Sequence, residues 1–151
     1  MPPLSPALRA RRLLVITLRD LRRLAILPLL PRLEDWESRM YGRLAALPDQ
    51  AEPPQRAQLL AALSVGSEII QLRHLTARVG AAVELDAALA AFAQGNSAIA
   101  IARLRQLDRQ LASAPDAGAD EATALRARAR ILVICEALSE HGSYFDGGAS
   151  A

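Results

Sequence analysis

Nucleophilic chemistry in this 151-residue chain would have to start from Cys135, its one thiol, and from His74 and His141, its two imidazoles. A nucleophile needs a base beside it and a third group to orient that base. Cys135 follows Ile131-Leu132-Val133-Ile134, and in so apolar a segment a thiol is an ordinary small core residue. His141 closes the same segment, where an imidazolium suits a helix C-terminus without further purpose. Two His with no HExxH, HxH or CxxC spacing fall short of the three or four ligands that a metal needs. No GxxxxGKS, GxxxxGKT or GxGxxG loop is present to cradle phosphate. No catalytic residue, metal ligand or cofactor is therefore assigned, and the chain is expected not to be an enzyme.

The polar feature with most promise is Arg73 beside His74. At helical spacing both flank an apolar stripe of Leu59, Leu63, Gly66, Ile70 and Ala77, whereas Glu68 points away from it. An arginine at the edge of such a stripe buries its stem and keeps its guanidinium wet. In a functional version Arg73, helped by His74, pairs with a carboxylate from a neighbouring helix, a partner chain or an aromatic acid. Trp36 is the single Trp. It reads as core or as an interface anchor, since Trp dominates interface energetics when it meets a partner. Asp35, Arg39 and Arg43 recur every four residues, the spacing of solvated surface pairs on one helix.

These side chains need elements to hold them, and composition indicates which. Ala and Leu dominate the apolar 52% of the chain, and aromatic residues make up 3%. Ala and Leu are strong helix formers, while strands favour β-branched and aromatic residues. The fold class expected is all-α, in one domain long enough to bury a core.

All 18 cationic side chains are Arg, which fits a GC-rich coding sequence better than a selective use of Arg for phosphate recognition. Six of them precede residue 24 against the single acid Asp20, and the remaining twelve face fifteen acids. A nucleic-acid binder spreads its basic footprint over the fold and adds stacking aromatics, so no nucleic-acid partner is expected. A basic leading helix suits the cytoplasmic side of a membrane. The apolar run Leu24–Leu30 is broken by Pro28, and no run approaches the ~18 residues of a spanning helix. Arginines interrupt residues 1–12, unlike a secretory leader.

Pro and Gly punctuate the chain into about six amphipathic helices. The domain division is a flexible lead over 1–6, a helical bundle over 7–141 and a disordered tail over 142–151. The first helix spans about Ala7 to Leu27, with Leu14, Thr17, Leu18, Leu21, Leu24 and Ala25 inward and Arg11, Arg19 and Arg22 outward. It ends at the Pro28–Pro31 breaker. The second runs about Arg32 to Leu47 with a stripe of Leu33, Trp36, Met40, Leu44 and Leu47, and the third about Pro54 to Val79. Gly66 costs about 1 kcal/mol against Ala within a helix, so it marks a notch where another element comes close. A fourth helix carries Leu85, Leu89 and Phe92. A fifth, capped by Asn96 or Ser97, carries Ala100, Leu104, Leu107 and Leu111. After a mobile loop over 113–119, Asp120 starts a sixth. Its run 131–134 is apolar all round, which places it centrally.

Three stretches carry a family resemblance. Thr17-Leu18-Arg19-Asp20-Leu21-Arg22-Arg23-Leu24 leads to Asp35-Trp36, Arg39-Met40-Tyr41 and Arg43-Leu44, and then to the helix with Gly66, Leu72 and Arg73-His74. This pattern, over about Leu13 to Leu138, resembles the soluble C-terminal region of the fusaric-acid-resistance family. Those proteins are bacterial inner-membrane efflux transporters for aromatic carboxylic acids and related toxic compounds. The resemblance implies a non-catalytic cytoplasmic domain with an oligomerisation or regulatory role. Its partners would be the transmembrane region of the same transporter, further copies of itself in a homo-oligomer, and an aromatic acid ligand. The Arg9–Arg23 segment favours a piece of a longer protein over a free-standing relative. The other reading is an independent α-helical adaptor that binds a partner protein through a groove.

Overall fold

A computed structural model describes residues 4–26, 33–113 and 119–147. These form six long helices and one short one: α1 (Pro6–Ile26), α2 (Leu33–Ala46), α3 (Pro53–Arg78), α4 (Ala82–Ala93), α5 (Ser97–Ser113), α6 (Ala119–Glu140) and α7 (Gly142–Phe145). The all-α bundle expected from composition is what forms. The Pro28–Pro31 breaker, the loop over 114–118 and residues 1–3 and 148–151 lie outside the described residues.

Helix ends follow local chemistry. Pro53 and Pro54 open α3, where a missing N–H leaves nothing unpaired, and the Gln55 side chain accepts the Glu52 N–H at 3.0 Å. Gly80 and Gly95 adopt φ of +71° and +80°. There the Ala81 N–H reaches back to the Thr76 carbonyl and the Asn96 N–H to that of Ala91, ending α3 and α4 in the left-handed turn that glycine takes without strain. Asn96 Oδ1 then accepts the Ile99 N–H at 3.1 Å and starts α5.

The core is one cluster. α1 turns Leu14, Thr17, Leu18, Leu21, Leu24 and Ala25 inward, as its periodicity requires. Leu85, Leu89 and Phe92 of α4 and Ala100, Leu104, Leu107 and Leu111 of α5 are likewise buried. The Gly66 notch is filled by Trp36. A Cβ built on Gly66 would fall 2.0 Å from Trp36 Cη2 and Cζ2. The indole thus rests on the bare backbone of α3 and is 2% exposed.

Two expectations are corrected. The central helix is α3, packed by α1, α2, α4 and α6, and not α6. Within 131–134, Ile131 and Ile134 are buried but Leu132 is 62% and Val133 39% exposed. Four consecutive residues circle a helix completely, and α6, packed on α3, α5 and α7, leaves the face with Leu132 and Val133 open. The second correction concerns the C-terminal segment read as a disordered tail. Through residue 147 it is ordered, with Tyr144 and Phe145 at 1% and 0% exposure. Two aromatic rings carry enough apolar area to hold a short segment against the bundle. Phe145 meets the Phe92 ring at 5.8 Å between centroids, and the Tyr144 hydroxyl donates to the Leu14 carbonyl at 2.9 Å.

Candidate functional site

Arg73 leaves the C-terminal half of α3 and lines a cleft of ≈ 650 Å³ with His74, Ala77, Arg78, Ala82 and Asp86. Its Nη1 donates to Asp86 Oδ1 of α4 at 3.0 Å, and its Nη2 donates to the Ala25 carbonyl of α1 at 2.6 Å. The carboxylate anticipated for Arg73 is thus supplied by a neighbouring helix of the same chain. Ala25 lies in the last turn of α1, where carbonyls lack helical donors and a cation meets the negative end of the dipole. Arg73 therefore ties three helices together. His74 is exposed at the cleft mouth. Trp36, far from presenting itself to a partner, is placed in the core of the chain on Gly66.

Magnitudes divide the roles of the two Arg73 contacts. Asp86 is 61% exposed, and an ion pair so wet contributes roughly 0.5 kcal/mol. The bond to the Ala25 carbonyl is half-buried and charge-assisted, worth about 1.5–3 kcal/mol. Arg73→Ala is expected to lower stability by about 2 kcal/mol and Asp86→Ala by about 0.5 kcal/mol or less, read by urea unfolding. If Arg73→Ala leaves stability intact and instead removes binding of an aromatic acid, the tie is not its role.

Sequence spacing assigned other charges to solvent that the fold draws between helices. Arg43, read as part of a surface row, is bound to Asp20 of α1; both side chains are 15% exposed. Glu68, read as pointing away from the apolar stripe, accepts Arg130 of α6 at 3.0 Å because α6 covers that side of α3. Arg22, read as outward, donates from Nη2 to the Phe145 carbonyl at 2.9 Å and lies against the Gly95 turn. Asp146 Oδ1 accepts the Ser97 N–H at 2.8 Å, a second cap for α5 delivered from the chain's far end. The Tyr144–Phe145 pair between glycines was the available sign of that docking segment. Nothing in the periodicity of α1 signalled Arg22.

Cys135 is buried in α6, and burial pushes its thiol up from the usual range, opposite to what a nucleophile needs. Burial likewise raises the Tyr144 phenol, which stays a protonated donor to Leu14. Among the described residues no group of three His, Cys, Asp or Glu could hold a metal ion.

A family model described as the fusaric acid resistance protein family matches residues 1–145. The chain belongs to that family. No curated protein and no solved structure matches it. Membership associates this fusaric-acid-resistance-family chain with membrane efflux. None of its helices, among the described residues, is long and apolar enough to cross a membrane. The three family-bearing stretches meet one another in this family member: Asp20 and Arg43 join α1 to α2, and Trp36 and Gly66 join α2 to α3.

Proposed function

We propose that this chain is a non-catalytic, cytoplasmic helical domain of a bacterial inner-membrane transporter that exports aromatic acids and related toxic compounds. In that role it steadies the transporter's oligomer or responds to substrate on the cytosolic side. The observation that carries the reading is the family match over residues 1–145, in a chain whose described helices do not span a bilayer. Further support comes from the arginine bias of α1, the pattern of segments beside the cytoplasmic face of a membrane. Partners in this reading are the transmembrane region of the same transporter and further copies of this domain, with no nucleic acid.

Separation of the native organism into membrane and soluble fractions, probed with antiserum to this chain, tests it. A band several times larger than 16.2 kDa and confined to membranes is the expected result. A soluble band of the chain's own size would replace this reading with a free-standing helical adaptor. The exposed Leu125, Leu132 and Val133 of α6 would then offer the partner surface.

A further inference from the structure

The outward side of α1 is apolar and cationic at once. At about 100° per residue, Leu8, Val15 and Ile26 fall on one line along the helix, with Arg12, Arg19 and Arg23 along its flank. Leu8 is 51%, Val15 37% and Ile26 58% exposed, and the three arginines are exposed as well. From Leu8 to Ile26 the stripe extends about 27 Å. Beside its C-terminal half, a hollow of ≈ 280 Å³ between α1 and α4 is lined by Val15, Leu18, Arg19, Arg23, Ile26 and Ala93.

Isolated apolar residues on a surface need no explanation, but a line of them edged by arginines has a specific chemistry. The core-facing side of α1, through Leu14, Leu18 and Leu21, is already spent on the bundle. Asp20 is the single acid of the helix. It offsets the stripe only in part, because its one carboxylate is shared between Arg43 of α2 and Arg19, whose Nε pairs with it at 3.9 Å. The face therefore keeps a positive field beside exposed hydrocarbon. Duplex nucleic acid would use the charge and leave the hydrocarbon in water. An anionic lipid surface uses both, taking apolar side chains at the headgroup–acyl boundary and guanidinium groups among its phosphates and carboxylates.

We propose that the Leu8–Ile26 face of α1 docks on an anionic lipid bilayer surface. This deepens the transporter reading by naming the surface that the domain rests on. The test is co-sedimentation of the purified chain with phosphatidylserine-containing vesicles and with pure phosphatidylcholine vesicles, at roughly 0.15 M salt. Binding to the anionic vesicles is expected, weakening as salt rises, with little on phosphatidylcholine. The triple variant Arg12→Glu, Arg19→Glu, Arg23→Glu is expected to lower partitioning roughly 100-fold or more, with its melting temperature kept because all three side chains are exposed. The double variant Leu8→Ser, Ile26→Ser is expected to lower it about tenfold, whereas Leu132→Ser on α6 leaves it unchanged.

Absence of binding to anionic vesicles would overturn the proposal. So would equal binding by the triple variant, equal binding to phosphatidylcholine, or displacement from vesicles by duplex DNA. Failure here, alongside a large membrane-confined band in the fractionation experiment, would remove the docking face and leave the transporter reading standing. Vesicle binding by a chain found soluble at its own size would do the reverse.

Discussion

Gly66→Ala is expected to destabilise the domain by roughly 2–3 kcal/mol, lowering the melting temperature by about 5–10 °C. In an exposed helix the same change would stabilise by up to about 1 kcal/mol, because Ala is the better helix former. Here the new methyl would lie 2.0 Å from two atoms of the Trp36 ring and 2.9 Å from a third. The indole is 2% exposed and cannot swing into water, so α2 must move away from α3 or the ring must leave its rotamer. Trp36→Phe alone leaves a void and costs about 2 kcal/mol. Combined with Gly66→Ala it is expected to cost less than the sum of the single changes, since the smaller ring makes room for the methyl. Thermal and urea unfolding of the four proteins measures the coupling. A neutral or stabilising Gly66→Ala would show that the two helices do not meet through this pair.

Ending the chain at His141 is expected to cost more than about 5 kcal/mol, comparable to the whole stability of many domains, and to abolish cooperative unfolding. The cut removes two fully buried rings, the acceptor for Arg22, the hydroxyl bonded to the Leu14 carbonyl and the Asp146 cap of α5. Phe145→Ala is expected to account for about 3–5 kcal/mol by itself. Tyr144→Phe is expected to cost only about 1 kcal/mol, because the ring remains and one hydrogen bond is lost. Far-UV circular dichroism during thermal unfolding separates these cases. A truncated chain that melts like the intact one would mean that α7 contributes no packing.

Both results turn on long-range contacts, and the line between what was readable beforehand and what was not follows from that. Periodicity in α1, α4 and α5 named their buried residues correctly, because burial on one face of a helix repeats with the helix turn itself. Gly66 announced a close approach through its cost in a helix interior, although the approaching group had to be seen. Charges fared worse. Arg22, Arg43 and Glu68 look like solvated surface by spacing, yet each long side chain reaches another element. The destination of a flexible side chain depends on which helix packs alongside, and local sequence does not encode that.

By itself, then, the amino-acid sequence determined the all-α class, the helix limits set by proline and glycine, the inward faces of most helices and the family. Those properties depend on residues within a few turns of one another. Tertiary structure alone decided that α3 and not α6 is central, that Tyr144 and Phe145 lock the chain's end to α1 and α4, and that Arg73 finds its carboxylate on α4. Each of these joins residues far apart in sequence, and the energy that selects such pairings exists only once the helices are packed.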